Sequence, residues 1–226
     1  LSIAAYLSVV PKIGAVFGLA QVARNLPGEL DWRLVTALLA AASMTYGNLA
    51  ALVQTNVVRL LAYSSIAQAG YFLLGVVALD RSDLAVRSLV VFGAAYAAMN
   101  IGAFAVVAAA GRDLPALTGL GRRAPLTAAA MVVFLLSLVG VPPLAGFVGK
   151  LLLFGATIDA DYTWLAVVGV ANSVLSLAVY LRIVVPMYQA SDRGLERRPL
   201  PAAVWGIALV LTVAIGVAAE AVSGRL

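Results

Sequence analysis

Cysteine and histidine are both absent from this chain of 226 residues. Their absence excludes disulfide bonds, cysteine-ligated iron–sulfur clusters and the usual haem and zinc ligands within the chain. We therefore expect no metal and no cofactor bound by this chain. If it belongs to an assembly that carries out redox chemistry, the electrons must travel through other subunits.

Charged residues are also scarce. Asp, Glu, Lys and Arg make up 11% of the chain and hydrophobic residues 63%, whereas an ordinary soluble domain is about 25% charged. This composition indicates a protein that crosses the lipid bilayer several times. The net charge of +5 does not indicate nucleic-acid binding, because the basic residues fall in loops between apolar segments.

Long apolar runs occupy most of the chain. A membrane-spanning helix needs about 20 apolar residues, and seven segments qualify: 1–24, 32–54, 57–79, 84–110, 125–157, 162–189 and 201–222. The connections are short and polar, so we predict one all-α membrane domain over residues 1–226. The chain begins at Leu1, inside an apolar run and without a signal peptide, and we expect a fragment of a longer protein.

The fifth segment is too long for one straight helix. At about 1.5 Å per residue, residues 125–157 would exceed a hydrocarbon core of about 30 Å. Pro142 and Pro143, followed by Gly146, lie in its middle, and proline removes a backbone donor. We predict a helix broken over Val141–Gly149, a pattern typical of transporter sites. A simple proline kink is the alternative.

Two lysines are the most informative residues. Lys12 and Lys150 are each the only charge in a long apolar run, and Pro11 stands beside Lys12. A charge at bilayer depth costs at least ~2.5 kcal/mol, so such residues usually line a polar path. A buried lysine can take and give a proton near neutral pH, which arginine cannot. The pair predicts a proton relay, and snorkelling to the interface is the alternative.

Other polar side chains lie within the predicted spans: Tyr63, Ser64, Ser65, Gln68, Tyr96, Asn100, Ser137, Asn172, Ser173 and Arg182. We expect most of them to make interhelical hydrogen bonds, and Arg182 to snorkel. Gln68 is the exception, because its amide can hold a water in a relay although it cannot titrate. No Asp or Glu lies in the middle of a span, so we expect the carboxylate partners of the lysines elsewhere.

Loop charge predicts the orientation. One set of loops carries seven Arg and the other set five Arg, counting the ends of the chain. Because positively charged loops stay in the cytoplasm, we predict that loops 111–124 and 190–200 are cytoplasmic and that the C-terminus lies outside.

Five stretches of the chain carry a resemblance to a known family. They are SVVPKIGAVFGL, YGNLAALVQTNVVRLLAYSSIAQAGY, YAAMNIGAFAVV, GLGRRAPLTAAAMVVFLLSLVGVPPLAGFVGKLLLFGA and YLRIVVPMY. Together they resemble the antiporter-like membrane subunits of respiratory complex I, the proton-pumping NADH:quinone oxidoreductase of the bacterial inner membrane. The S-x-x-P-K and Y-x-x-x-N-x-G-A-F forms favour one branch of these subunits. The G-x-P-P-x-x-G-F-x-x-K form also occurs in multisubunit sodium/proton antiporters.

The resemblance implies a fourteen-helix fold of which this chain is the C-terminal half. Lys12 then matches the lysine that connects two half-channels, and Lys150 matches the lysine of a broken helix on the terminal proton path. NADH, FMN, iron–sulfur clusters and quinone are expected elsewhere in the complex, with its other membrane subunits as partners. The chain departs from the family at Gln68, where histidine is frequent, and at Val58, where lysine is frequent.

We therefore expect a translocase subunit that relays protons across the membrane and contains no redox centre. Lys12 and Lys150 are the predicted relay residues, and the supporting residues are Pro11, Gln68, Pro142, Pro143 and Gly146. Two alternatives stay open. The chain could belong to a multisubunit cation/proton antiporter, which needs no redox partner, or it could be a purely structural membrane subunit.

Overall fold

The computed structural model describes residues 2–25, 31–190 and 202–223. Helices dominate these ranges, and no β-strand occurs within them. The helices are α1 Ser2–Arg24, α2 Trp32–Leu52, α3 Val57–Val77, α4 Leu84–Ala110, α5 Leu114–Leu117, α6 Leu120–Arg123, α7 Pro125–Val139, α8 Ala145–Asp159, α9 Thr163–Tyr188 and α10 Ala202–Ser223. The predicted all-α architecture is confirmed.

Five of the described helices are long and apolar enough to cross a membrane: α1, α2, α3, α4 and α9. Each begins and ends within a few residues of a predicted span. The fifth predicted segment is divided between α7 and α8, of 15 residues each, and the last corresponds to α10. The chain is a multi-pass membrane protein, while the count of seven spans stays a prediction.

Helix ends follow local signals in the sequence. The side chain of Asp31 accepts a hydrogen bond from the backbone of Leu34 at 3.1 Å at the start of α2. Asn56 does the same for the backbone of Arg59 at 3.1 Å at the start of α3. These side chains satisfy backbone donors that a helix leaves unpaired in its first turn, and they therefore fix where the two helices begin.

Helices α3 and α4 occupy the centre of the described bundle. Helix α3 packs against α2, α4 and α8, and α4 packs against α8, α10, α7 and α1. Glycine allows α2 and α3 to approach closely, since a Cβ on Gly70 would lie 2.7 Å from the carbonyl oxygen of Ala40. The outer helices α1, α2 and α9 expose large apolar side chains, as expected of surfaces that meet lipid or other subunits.

The predicted break in the fifth segment is confirmed, but its bounds are wrong. Helix α7 ends at Val139 and α8 begins at Ala145, so Gly146 and Gly149 lie inside α8. Gly140 has φ +96°, and its N–H donates to the carbonyl of Ser137 at 3.0 Å. The N–H of Val141 donates back to Leu136 at 3.0 Å. This is a Schellman ending; once past the two prolines, the chain can become helical again.

Two loop clusters lie at opposite ends of the bundle. Arg24 pairs with Asp80 at 3.4 Å, and Ser82 donates to Asp159 at 2.8 Å, which places three loops together. At the other end, Asn56 donates to Asp113 at 2.8 Å. The described loops therefore fall into the two predicted groups, and the side that faces the cytoplasm stays a prediction. The loop 190–200 and the C-terminus beyond Ser223 lie almost entirely outside the described residues.

Candidate functional site

Lys150 is buried at the break between α7 and α8. It lies on the second turn of α8 with 2% of its surface exposed. Its Nζ donates to the carbonyl of Val139 at 3.0 Å and to Oγ of Ser173 at 3.1 Å. The same Nζ stands 3.9 Å from the centroid of the Tyr71 ring. These residues form the Lys150 site, which draws on α3, α7, α8 and α9.

The broken helix supplies the carbonyl that Lys150 uses. Because α7 stops at Val139, its last carbonyls have no partner within the helix. Lys150 takes the carbonyl of Val139, and Nε2 of Gln68 donates to the neighbouring carbonyl of Leu138 at 3.1 Å. The C-terminal end of a helix also carries a partial negative charge that attracts cations. The break therefore exposes polar backbone carbonyls within the membrane-spanning region, and an ammonium can bind there.

The supporting residues Pro142, Pro143 and Gly146 act on this break through the backbone. The two prolines lie in the connection between α7 and α8, where they prevent α7 from continuing. The N–H of Gly146 donates to Oγ of Ser137 at 3.1 Å. A Cβ on Gly146 would overlap the backbone carbonyl of Ser137, so glycine allows the two half-helices to meet side by side.

Lys12 lies halfway along α1 and is half-buried. Its Nζ donates to the backbone oxygen and to Oγ of Ser65, and it also donates to the hydroxyl of Tyr96 at 3.3 Å. The Tyr96 ring centroid is 5.2 Å from Nζ, and the hydroxyls of Ser65 and Tyr96 are 2.7 Å apart. Lys12, Ser65 and Tyr96 form the Lys12 site, which joins α1, α3 and α4.

Pro11 does not break α1, which agrees with the single span predicted over residues 1–24. The helix runs without interruption from Ser2 to Arg24. Side chains from α4 hold the preceding turn, since Tyr96 donates to the carbonyl of Ser8 at 2.9 Å and Asn100 donates to its hydroxyl at 2.6 Å. A proline costs a membrane helix one backbone hydrogen bond, which is tolerated where neighbouring side chains bond the adjacent backbone.

The two lysine sites are alike in their chemistry. Each holds the amine with a backbone carbonyl, a serine hydroxyl and a tyrosine. Neither contains a carboxylate: the only ion pair among the described residues joins Arg24 to Asp80. No group of Cys, Asp or Glu within the described ranges could hold a metal ion. The chemistry available at both sites is proton exchange between an amine and neutral hydroxyls.

Gln68 lies between the two lysine sites. It follows Ser65 by three residues on α3 and precedes Tyr71 by three, so all three share one face of the helix. Its Nε2 is 3.4 Å from the hydroxyl of Tyr180, which in turn is 2.5 Å from the hydroxyl of Ser64. Oε1 of Gln68 is buried and accepts no hydrogen bond from the described residues.

Several of these residues were missed or undervalued in the sequence. Tyr71 and Tyr180 were not among the candidates, although the spacing of Tyr71 from Gln68 on α3 gives a signal. Ser65, Tyr96 and Ser173 do more than join helices, since each contacts a lysine.

Two other polar residues inside the spans join helices. Oδ1 of Asn172 accepts from Nδ2 of Asn48 on α2 at 3.1 Å, which confirms the expected interhelical bond. Arg182 donates to the carbonyls of Ala51 and Leu52, which end α2 and need donors, and its snorkelling stays a prediction.

Comparison with known proteins identifies a family. Residues 1–176 match the family described as NADH:quinone oxidoreductase/Mrp antiporter, TM. NADH-quinone oxidoreductase subunit N 1 of Streptomyces griseus is 43% identical over 215 residues, which cover 94% of this chain and 45% of that protein. Subunit N is the branch that the S-x-x-P-K and Y-x-x-x-N-x-G-A-F stretches favour. The chain spans about half the length of the curated relatives it matches.

Solved structures share the fold. A chain of respiratory complex I from Thermus thermophilus with bound aureothin is 38% identical with a TM-score of 0.68, and the match covers 83% of this chain and 42% of that chain. The Mrp complex from Dietzia sp. DQ12-45-1b is 24% identical with a TM-score of 0.72, over 85% of this chain and 45% of that chain. The second likeness shows a common fold alone.

The relatives above are bacterial, and the apolar helices agree with a multi-pass protein of the inner membrane. The match over residues 1–176 covers most of the described helices, including both lysine sites. The chain therefore belongs to the NADH:quinone oxidoreductase/Mrp antiporter transmembrane family.

Proposed function

We propose that this chain is the C-terminal part of a membrane subunit of a proton-pumping NADH:quinone oxidoreductase, and that it relays protons through Lys12 and Lys150. One observation carries the proposal. Lys150 is buried at a broken helix, and its partners among the described residues are a carbonyl, a hydroxyl and an aromatic ring. A charge at bilayer depth pairs with an opposite charge or with backbone carbonyls, and the described residues give Lys150 only the second kind of partner. An amine without a carboxylate can instead exist in either protonation state.

Each lysine has a hydroxyl partner for proton exchange. Ser65 contacts Lys12 and the hydroxyl of Tyr96, while Ser173 contacts Lys150 and the hydroxyl of Tyr71, at 2.9 Å. A hydroxyl both donates and accepts, so it can pass a proton on by rotating. A pocket of about 370 Å³ lies beside Lys150 and is lined mainly by apolar side chains, together with Ser173.

Gln68 connects the two sites in this proposal. Its Oε1 is buried without a donor, and buried acceptors in proteins are almost always satisfied by protein or by ordered water. We infer that a water donates to Oε1 and extends the path from the hydroxyl of Tyr180 toward the lysine sites. Glutamine does not titrate, so its role is to hold this water rather than to carry the proton itself.

The redox chemistry takes place elsewhere in the assembly. NADH, FMN, iron–sulfur clusters and quinone are assigned to other subunits, and this chain contributes the proton path through the membrane. Quinone reduction would change the protonation of Lys12 and Lys150 through neighbouring membrane subunits. The carboxylate partners that a lysine relay needs would come from outside residues 1–226.

A cation/proton antiporter is the second candidate, because the fold is shared with a chain of the Mrp complex. The lysine relay would be the same, but the driving force would be a cation gradient. Sodium-dependent exchange that continues without NADH would favour this candidate. Proton pumping that depends on NADH oxidation and does not depend on sodium would favour the oxidoreductase.

The substitution Lys150→Ala in the assembled complex tests the proposal. We expect proton uptake into proteoliposomes to fall at least about tenfold, because the amine is removed from the path, while electron transfer from NADH to an artificial acceptor continues. Thr157→Val is a matched control, since Thr157 is buried on the same helix and bonds only the carbonyl of Leu153. Normal pumping by Lys150→Ala would contradict the relay.

A further inference from the structure

We propose that Tyr71 is a positioning residue for Lys150, whose ring face favours the protonated amine. The inference rests on the proposed relay, because it matters only if Lys150 changes its protonation state. Nζ of Lys150 stands 3.9 Å from the centroid of the Tyr71 ring. An ammonium at this distance is attracted by the negative face of the ring, and a neutral amine is attracted much less.

The hydroxyl of Tyr71 bonds two groups of α9. That hydroxyl donates to the carbonyl of Gly169 at 2.9 Å and is 2.9 Å from Oγ of Ser173. Ser173 is also the hydroxyl partner of Lys150, at 3.1 Å. Tyr71 therefore touches Lys150 with its face and orients the serine that exchanges a proton with Lys150.

Packing leaves the ring little freedom to move. Tyr71 is fully buried. The rings of Phe92 and Phe154 each lie 6.3 Å from its centroid, on α4 and α8. Because three helices and one hydroxyl fix the ring, its face remains directed at the amine, and the attraction does not depend on a mobile side chain.

Among the described residues, no charged side chain contacts Lys150. Helix α7 and the described side chains of α10 contain no titratable group. Arg59 and Arg87 lie in the first turns of α3 and α4, and Arg182 of α9 bonds the end of α2. The hydroxyls of Tyr96 and Tyr180 are bonded to Ser65 and Ser64, and Asp159 of α8 lies at its far end beside Ser82. The carbonyl of Val139 also attracts an ammonium, and Tyr71 is the described aromatic side chain whose ring face adds to that attraction.

The Lys12 site offers a comparison within the chain. There the Tyr96 ring centroid is 5.2 Å from Nζ, and the tyrosine hydroxyl itself accepts from the lysine at 3.3 Å. Tyr96 therefore contacts its lysine mainly through the hydroxyl, whereas Tyr71 uses the face of the ring. The two lysines would respond differently to loss of a hydroxyl and to loss of a ring.

The experiment measures the pH dependence of proton pumping by the complete complex in proteoliposomes. Tyr71→Phe keeps the ring and Tyr71→Leu removes it. We expect Tyr71→Leu to move the alkaline limb of the profile to lower pH by about one unit, because the protonated amine loses its ring partner. Tyr71→Phe should keep the midpoint of the alkaline limb within a few tenths of a pH unit of the wild-type value. Phe134→Leu, at a fully buried ring on α7, is the control for lost packing.

Fluorinated phenylalanines at position 71 keep the test decisive if Tyr71→Leu does not assemble. Successive fluorines weaken the negative ring face at nearly constant shape. The pH at the midpoint of the alkaline limb should therefore fall stepwise from mono- to trifluorophenylalanine. An unchanged midpoint across this series would overturn the role of the ring. Lys150→Ala in the same assay separates the two proposals: if it abolishes pumping while the series has no effect, only the inference about Tyr71 fails.

Discussion

Lys12 and Lys150 are the only lysines of the chain, and both are held by neutral groups. A lysine in a salt bridge would stay charged, because its partner stabilises the ammonium in every state. Carbonyls, hydroxyls and rings hold an amine in place while leaving both protonation states accessible. At the residue scale, the neutral partners that the described residues supply to both amines are therefore the property that suits them to proton transfer, and a carboxylate that biases their charge would come from outside residues 1–226.

Gln68 gives a prediction at this scale. Gln68→Leu removes the acceptor for the proposed water and leaves the carbonyl of Leu138 without its donor. We expect the pumping rate to fall severalfold. Gln68→His introduces the residue that is frequent in the family, and it should retain pumping because a ring nitrogen can also hold water. The rates are measured by dye quenching in proteoliposomes at equal electron flux.

Ser88→Ala is a control for Gln68→Leu, since Ser88 is buried on α4 and bonds only the carbonyl of Ala85. Its pumping rate should match the wild type. If Gln68→Leu also pumps at the wild-type rate, the path between the lysines does not use this amide.

At the scale of elements, the break between α7 and α8 and one face of α3 build the site. The break exposes the carbonyls of Leu138 and Val139, which Gln68 and Lys150 use. Helix α3 carries Ser65, Gln68 and Tyr71 on one face, so it contacts both lysine sites along about 9 Å of its axis. A straight helix through residues 125–157 would have left Lys150 without its carbonyl.

Gly146 allows a test of this arrangement. Gly146→Val would place a side chain against the backbone carbonyl of Ser137, so α8 would have to move away from α7. We expect a loss of about 1–3 kcal/mol in stability, as for other overpacked sites, together with a loss of pumping. The thermal denaturation midpoint of the purified complex and its proton uptake are the measurements.

Gly206→Ala is the matched control for this substitution, because nothing lies within 4 Å of a Cβ on Gly206 in α10. It should leave the denaturation midpoint unchanged or raise it slightly, since alanine favours a helix. Equal midpoints for Gly146→Val and the wild type would contradict the close contact between the half-helices.

The helices were predictable from the sequence and the contacts between them were not. Asp31, Asn56 and the two prolines act on the backbone next to them, so span ends and the break could be predicted locally. The bounds of the break were wrong because glycine occurs both in loops and in helices, and Gly146 is needed for packing. Tyr71 was missed because its role depends on which face of α3 meets α8, and that is set by the whole bundle.

At the scale of the whole molecule, polar groups are separated from a broad apolar surface. The loops carry most of the charged residues, and both lysines lie within the bundle. Exposed apolar side chains such as Ile3 on α1 and Val174 on α9 face outward. This arrangement fits a unit that sits among lipids and neighbouring subunits and keeps one polar path inside.

The ratio of protons pumped to electrons transferred tests the central claim most directly. We would measure it for the complete complex carrying both Lys12→Ala and Lys150→Ala, with assembly verified and electron transfer to quinone measured in parallel. The relay predicts that this ratio falls, because electrons still flow while one proton path is closed. A wild-type ratio at a normal electron flux would contradict the relay and favour a purely structural role for this chain.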